Sequence, residues 1–587
     1  MTRVIPLDSA GTILDCLDHY AACQPDAPAY TFVGHKDEDR QVLSYGELHL
    51  RATGYAAELQ AAGLAERNVL LLFPTGLDFI IGFFACAYAR AVSIPANLAR
   101  NSHHFRRLGQ IVENAGAVAV LTVPELRASI AEGLGQGNAL ALHCEPSTQG
   151  AAAVLTRPEP GQLAFIQYTS GSTGIPKGVM IRHAQLIANE RAIQSVSRLD
   201  EGFVGAGWLP QFHDMGLIGA LLQPIALGGH YVFMSPLHFL QRPLRWLTLL
   251  SQYRAVATAA PNFALALCVQ AGMDEGTAAQ LDLSALRIIF CGAEPVSAAV
   301  LERFEEIFAR YGLRPGSVVP CYGLAEATLI VSGGPAAGGR RLLKVARRDL
   351  EQGRARLVDG TGQEVQTLVS CGPAVRDHRV LIVDPDSRRL LADGQAGEVW
   401  FAGPSVASGY WANGQASRDT FAATTACGQG PCMRTGDLGF LHEGSLYIAG
   451  RIKELIILRG RNFHPHDLEA SLHQALPVPG EVAITVFAVE DGPAPQVVAC
   501  VEFPRRDRSA ADLDFAWLGR QLKAALMSVH EVRLEDIVYL YQGAIPRTSS
   551  GKVQRHLCAS RYLDGSLDND RLLIHSTRSS RLEATAP

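Results

Sequence analysis

The sequence predicts an α/β protein with a large N-terminal domain and a smaller mixed α/β C-terminal domain. Three observations carry this. The chain has 587 residues, more than a single hydrophobic core accommodates. Strand-like and helix-like apolar runs alternate through residues 29–122, the pattern of parallel strands with helices packed on them. The composition, 48% hydrophobic and 19% charged, is that of an ordinary folded chain rather than a disordered or fibrous one.

In order, Thr12 starts an amphipathic helix and residues 29–33 read as a strand. Ser44 opens the next helix as its N-cap, with Glu47 at the capping-box spacing. Runs 69–73, 91–95 and 117–122 read as strands, separated by a buried helix beginning near Thr75-Gly76 and a helix around Phe105. The apolar stretch 69–96 does not read as a membrane span. Pro74, Asp78 and Arg90 interrupt it, and its clean run is about half of the roughly 20 residues a span needs. Asp8, Asp15 and Asp18 stand where a signal peptide would be basic and then apolar, so a cytoplasmic protein is expected. The net charge of −5 provides no basic field for nucleic acid. The 12 cysteines are scattered without a Cys-x-x-Cys pair, and His464 and His466 lie far from any cysteine cluster. Buried free thiols are therefore expected rather than a zinc site.

The chemistry begins at Tyr168-Thr169-Ser170-Gly171-Ser172-Thr173-Gly174-Ile175-Pro176-Lys177-Gly178, directly after the buried-strand run 163–167. Glycines let backbone N–H groups approach an anion, hydroxyls add donors, and lysine adds a mobile charge. Such a loop suits a polyphosphate. It is not the usual P-loop, because Pro176 precedes the lysine and Gly178 follows it. A helix over 183–195 follows, then Trp208-Leu209-Pro210-Gln211-Phe212-His213-Asp214-Met215-Gly216-Leu217-Ile218-Gly219. No serine nucleophile accompanies His213 and Asp214, so a hydrolase triad is rejected. Residues 260–264 begin a helix behind Pro261. Residues 287–295 are a strand ending in a glycine turn, Cys291-Gly292-Ala293-Glu294-Pro295. In Cys321-Tyr322-Gly323-Leu324-Ala325-Glu326-Ala327-Thr328, Tyr322 offers a flat face for a base and Glu326 a hard oxygen for Mg²⁺.

Further on, runs 380–383, 397–401 and 446–448 are short and β-rich, which suggests a small barrel-like subdomain closing the large domain. Met433-Arg434-Thr435-Gly436-Asp437-Leu438-Gly439 lies among them. Gly450-Arg451-Ile452-Lys453-Glu454 and the charged run to Pro465 come next. The remainder predicts a helix over 467–476, strands 484–489 and 497–503, and a helix over 517–527. Ile545-Pro546-Arg547-Thr548-Ser549-Ser550-Gly551-Lys552-Val553 is a Ser/Gly loop bearing a lysine, and the polar tail from Asp564 is expected to lack order after Ile574.

These ordered motifs, spread over residues 10–565, resemble those of the adenylate-forming superfamily of acyl-CoA synthetases, luciferases and adenylation domains. The run 208–219, and an extra segment at about 342–366 before Cys371-Gly372-Pro373, resemble the fatty acyl-AMP ligases within it. The resemblance implies a large N-terminal domain of two α/β sheets plus a small β-barrel over residues 1–449 and a hinge at 450–453 with Lys453 as the swivel. A mobile α+β C-terminal domain over 454–565 and a tail from 566 complete it. It implies that a fatty acid and ATP give a fatty acyl-adenylate and pyrophosphate. The acyl group then passes to the phosphopantetheine arm of an acyl carrier protein acting in trans, since no carrier attachment sequence is visible in the chain.

Residue by residue, Thr169, Ser170, Gly171, Ser172, Thr173, Gly174 and Lys177 would hold the β- and γ-phosphates. Gly292, Ala293, Glu294, Tyr322 and Gly323 would lie against adenine. Asp437 would accept the ribose hydroxyls and Arg451 would reach ribose or phosphate. Glu326 would bind Mg²⁺, and Lys552 would bridge carboxylate and α-phosphate. His213 either stands near the reacting carboxylate or simply packs. Residues 260–264 either wall the acyl pocket or are an ordinary helix entry. The inserted segment either hinders the domain rotation needed for CoA thioester formation or is a surface excursion. Two other readings remain open: a fatty acyl-CoA synthetase and, more distantly, a non-catalytic adenylate-binding protein.

Overall fold

The structure, a computed structural model, describes residues 7–36, 38–99, 102–135, 141–144, 155–169, 176–273, 275–334, 341–360, 362, 364–458, 461–476, 482–490, 495–503, 514–548 and 552–568. The alternation of side chains along short apolar strands sets its layers. Val69 and Leu71 face one core while Leu70 and Leu72 face another, so their sheet is buried on both sides, as a parallel sheet requires. That sheet has six strands in the order Ala141–Cys144, Ala119–Thr122, Asn68–Leu71, Val92–Pro95, Leu163–Thr169, Lys177–Arg182. Its pairs are parallel except the last, which is antiparallel and brings Thr169 opposite Lys177.

The second sheet has seven strands: Val318–Pro320, Ile288–Cys291, Ala257–Ala260, Val204–Gly207, His230–Met234, Pro28–Val33, Arg40–Ser44. Again only the last pair is antiparallel. The helices Tyr45–Ala61, Leu77–Tyr88 and His183–Ser197 share one core with Phe165 and Ile181 of the first sheet and Tyr231 and Phe233 of the second. Trp246, Phe304 and Phe308 cover the far face of the second sheet, and Leu108 and Ile111 that of the first.

The predicted helix starts hold. Thr12 caps Ile13–Cys23 with Asp15 reaching back to its N–H at 2.8 Å, and Ser44 Oγ accepts the Glu47 N–H at 3.2 Å. The strand Arg40–Ser44 just before that cap was not expected. It is an edge strand whose first three residues are exposed, so it carries no hydrophobic alternation to read. Every residue of the 12-residue helix Leu77–Tyr88 except Asp78 is buried, and among the described residues no helix is long and apolar enough to cross a membrane.

Where a small barrel was expected, Arg379–Val383, Gly397–Ala402, Met433–His442 and Ser445–Arg451 form a four-stranded antiparallel sheet. Among the described residues, no hydrogen-bonded ladder joins its first strand to its last. From Ile456 onward the buried side chains form cores of their own. One surrounds Leu472, Val486, Val501, Leu522 and Ile537; the other surrounds Val498, Leu540, Cys558 and Tyr562. The strand Leu534–Tyr541 and the helix Arg555–Leu563 belong to these cores and were not anticipated. The predicted tail beyond 568 lies outside the described residues. Cys86, Cys371 and Cys500 are buried free thiols.

The inserted segment is a folded unit. Leu342–Ala346 and Val365–Val369 pair antiparallel, with the short helix Arg347–Glu351 between them. Val345, Leu350 and Leu368 pack on Phe440 and Tyr447. Its other side reaches the C-terminal residues through ion pairs and one side-chain hydrogen bond. Glu351 accepts from Arg461 at 2.7 Å, Arg348 and Arg461 both meet Glu531, and Gln366 donates to Asp467 at 2.7 Å.

Candidate active site

Four neighbouring strands of the second sheet end on the same side, and the chain leaving each end carries one predicted motif. Val204–Gly207 runs into Trp208, Ala257–Ala260 into Pro261, Ile288–Cys291 into Gly292, and Val318–Pro320 into Tyr322. The carboxyl ends of parallel strands are where open α/β sheets form ligand crevices, because the loops there splay apart. These turns are tight. A Cβ on Gly292 would meet the Cys321 carbonyl at 2.8 Å, and one on Gly323 the Leu329 carbonyl at 2.1 Å. Ala293 sits at φ +70, a left-handed conformation that a non-glycine residue holds only where its surroundings enforce it. Glu294 accepts the Phe263 N–H at 2.5 Å, tying the third strand end to the helix Asn262–Gln270.

The run 208–219 is held from several directions. Gln211 both accepts from and donates to the backbone of Gly76, at 2.9 and 3.0 Å, and Gln167 donates to the Phe212 carbonyl at 2.9 Å. His213 Nδ1 lies 2.6 Å from Asp214 Oδ1, which also accepts the Met215 N–H at 2.7 Å. Beyond it Met215–Leu222 is a π-helix, an uncommon form that recurs at functional sites. Trp208 stacks on Phe239 at 3.9 Å and meets Phe263 edge-on, so residues from 208 and 263 form one aromatic wall.

At the end of Val318–Pro320, Tyr322 donates its phenol to Asp437 Oδ2 at 2.5 Å, and Arg451 Nε meets Asp437 Oδ1 at 2.8 Å. The Asp437 carboxylate raises the Arg451 pKa further. Buried Glu398 braces the turn before Asp437: it accepts from the Gly436 N–H at 3.1 Å and pairs with Arg434 at 2.7 Å. Glu326 accepts from the Tyr410 phenol at 2.9 Å, and the Lys177 ammonium stands 4.8 Å from the centre of the same Tyr410 ring. Burial holds the Glu326 carboxyl above the usual range, although the Tyr410 hydrogen bond pulls it down.

Lys552 belongs to a small turn in which Arg547 bridges Val553 and the Lys552 carbonyl accepts the Thr548 N–H at 2.7 Å. Its side chain keeps contact with solvent, yet its charge lies within reach of Asp214, Arg451, Asp437 and Glu294. Desolvation by the surrounding protein lowers its pKa, against the pull of Asp214. Burial alone would raise the Asp214 carboxyl, but His213 and Lys552 hold it below its ordinary value.

The structure thus brings Lys552, Asp214, Glu294, Asp437 and Arg451 into one electrostatic neighbourhood, with Tyr322 and Glu326 beside it. His213 is half-buried against Asp214. Lys453 is exposed in the 3-10 turn Ile452–Glu454. Ser170, Gly171, Ser172, Thr173 and Gly174 lie outside the described residues; Thr169 and Lys177 flank them at the mouth of a hairpin. The loop therefore joins two antiparallel strands, unlike the strand-to-helix passage of a P-loop. The sequence reading missed Asp214, Gln211, Glu398 and Tyr410. The adjacency of Asp214 to His213 was a usable signal. The others act on residues far away in sequence and had none.

Residues 17–411 match the family described as AMP-binding enzyme. Over 97% of its length the chain is 36% identical to the medium-chain-fatty-acid–[acyl-carrier-protein] ligase JamA of Moorena producens, covering 98% of that protein. It is 33% identical to the long-chain-fatty-acid–AMP ligase FadD32 of Mycolicibacterium smegmatis, with 96% of each covered. Among solved structures it resembles a fatty acyl-adenylate ligase from L. pneumophila in complex with acyl adenylate and pyrophosphate. There the TM-score is 0.74 and the identity 33%, with 95% of this chain and 97% of that one covered. A further fatty acyl-adenylate ligase, from a study of the E. coli and L. pneumophila enzymes, superimposes with a TM-score of 0.86 at 32% identity, over 96% of this chain and all of that one.

Proposed function

The chain belongs to the AMP-binding enzyme family, and from that premise we propose how its cleft activates a fatty acid for transfer to the phosphopantetheine arm of an acyl carrier protein. The observation that carries the reading is the convergence of the Lys552 charge, from the C-terminal cores, on the motif-bearing strand ends of the second sheet.

The substrate carboxylate is already ionised at neutral pH, with a pKa of about 4–5, so no general base is needed. One of its oxygens attacks the α-phosphorus of ATP. The new O–P bond forms as the bond from the α-phosphorus to the bridging oxygen of the β-phosphate breaks, and pyrophosphate leaves with that electron pair. The protein's tasks are in-line alignment and neutralisation of growing negative charge. Lys552 serves both by contacting carboxylate and α-phosphate, where preorganised charge counts most. Asp437 receives the ribose hydroxyls, with Tyr322 and Arg451 fixing its orientation. Thr169, Ser170, Gly171, Ser172, Thr173, Gly174 and Lys177 retain the departing pyrophosphate. His213 keeps Asp214 ionised opposite Lys552, and the aromatic wall of Trp208 and Phe263 lines the acyl side.

The donor set fits Mg²⁺. Among the described residues no cluster of three or more His, Cys, Asp or Glu side chains could hold a metal. Glu326 offers a carboxylate oxygen beside the Lys177 side of the site, and Mg²⁺ is commonly held by one or two carboxylates plus substrate phosphates. When bound there it would screen the polyphosphate. The inserted segment, ion-paired to the C-terminal residues, supports the acyl-AMP ligase reading over an acyl-CoA synthetase, because those contacts oppose rotation at Lys453.

ATP–pyrophosphate exchange over a series of fatty-acid chain lengths, with and without CoA, tests the reading. Exchange stimulated by fatty acid without accumulation of CoA thioester is expected. Lys552→Ala should lower exchange by about 10²–10³-fold while ATP still binds. Near-normal exchange in that variant overturns the mechanism.

A further inference from the structure

Tyr410 has no role in the chemistry above, yet it touches two of its parts. Its phenol donates to Glu326 Oε1 at 2.9 Å, and its ring centre lies 4.8 Å from the Lys177 ammonium. The segment around it is sewn to both parts by backbone. Gly409 accepts the Met180 N–H at 2.9 Å, Trp411 donates to the Gly178 carbonyl at 2.7 Å, and Ala407 donates to the Glu326 carbonyl at 2.9 Å. Tyr410 bridges Val179 on the strand that leaves the phosphate loop. Its own N–H is held by Ser417 Oγ at 2.9 Å, and Phe421 packs edge-on at 5.1 Å. The ring is buried and cannot swing away.

We propose that Tyr410 is a positioning residue that couples the lysine of the phosphate loop to the carboxylate that meets the metal-bound polyphosphate. The inference rests on the reading of Glu326 given above. A phenol has one proton to donate. Giving it to Oε1 fixes the carboxylate plane and leaves Oε2 as the oxygen for a cation. The ring face does a second task. It holds the Lys177 ammonium by cation–π attraction, which orients the lysine without neutralising it as a carboxylate would. One side chain thereby sets the distance between the Lys177 charge and the Glu326 carboxylate.

The test is calorimetric binding of ATP to the full chain, with excess Mg²⁺ and in metal-free buffer. The quantity read is the factor by which Mg²⁺ tightens ATP. Tyr410→Phe keeps the ring and loses the proton. It should leave metal-free ATP affinity within about twofold and reduce the Mg²⁺ factor about tenfold, the scale of a hydrogen bond to a charged group. Lys177→Met should weaken metal-free ATP and leave the Mg²⁺ factor unchanged. Tyr410→Leu should do both, and adding it to Lys177→Met should cost metal-free binding nothing more. Glu326→Gln separates the two readings. If it keeps the Mg²⁺ factor, the metal assignment falls and this inference with it. If it loses the factor while Tyr410→Phe keeps it, only the tyrosine inference falls. Phe421→Leu, which loosens the ring's packing and touches neither partner, should keep the factor; a loss equal to that of Tyr410→Phe reduces Tyr410 to packing. Should Tyr410→Phe not fold, the cycle of Lys177→Met with Glu326→Gln decides. Coupling in Mg²⁺–ATP binding beyond about threefold, the size of a cation–π contact, supports the inference and additivity overturns it.

Discussion

The close approaches at the site are set by single atoms. Gly216 stands at the start of the π-helix, where an added Cβ would meet the Pro210 carbonyl oxygen at 2.0 Å. Alanine would normally favour a helix over glycine by about 1 kcal/mol. Here a backbone atom blocks it, and a backbone carbonyl that also accepts the His213 N–H at 3.1 Å is not easily displaced. Gly216→Ala is therefore expected to destabilise by about 1–3 kcal/mol, the usual cost of overpacking, and to raise the KM for fatty acid more than that for ATP. Thermal unfolding and steady-state kinetics measure the two effects. The need for Gly216 was partly legible, since a glycine among helix-forming residues invites the question of what comes near it. That Pro210 was the neighbour was not, because a close approach across a turn leaves no sequence period. Lys552, Glu326 and Asp437 stood out because each lies in a short ordered motif. Tyr410 did not, because its two partners are far from it along the chain.

At the scale of elements, the buried strands and long amphipathic helices were readable because burial imposes a period. Exposed Arg40–Ser44 was not, and neither was Leu534–Tyr541, whose inward residues were masked by a nearly continuous apolar run. The inserted segment shows the same division. Its extra length was visible, but its packing was not. Val345 and Leu350 are buried against Phe440 and Tyr447, so excising residues 342–366 would remove part of a core as well as a contact. The ionic face is the better place to cut. Removing Arg461 alone would strand the buried Glu351 charge, at about 3–5 kcal/mol. Replacing both, as Glu351→Gln with Arg461→Met, removes the pair without leaving either charge unpaired. That double variant is expected to fold, to keep adenylate formation, and to raise CoA thioester formation several-fold. Unchanged thioester yield in a folded double variant would show that the insertion does not act through this contact.

For the whole molecule, the proposed site lies where Lys552 meets the strand ends of the second sheet, and the titration of the groups facing each other there should appear in the pH profile. Asp214, Glu294 and Glu326 are the carboxyls there whose titration is shifted. Asp214 is held below its ordinary value, so it stays ionised as pH falls and does not limit activity. Glu326 and Glu294 are raised by burial, so they take up protons at higher pH than ordinary carboxylates. In the proposed mechanism the polyphosphate path uses the charge of Glu326, whereas Glu294 accepts a backbone N–H whose partner stays within the protein. At the other end, desolvation lowers Lys552, which therefore loses its proton, and its charge, below the usual lysine range. Both limbs of the kcat/KM profile for exchange, which reports the free enzyme, should then move inward and narrow the active window. Because Arg keeps its proton to far higher pH, Lys552→Arg should push the alkaline limb upward even if it lowers the plateau. Glu294→Gln should leave the acid limb in place, and Glu326→Gln should abolish it in whatever activity remains. An acid limb that moves with Glu294 instead would transfer the role to the adenine side. An alkaline limb indifferent to Lys552→Arg would mean that the lysine's charge, brought across from the C-terminal cores, does not govern the chemical step.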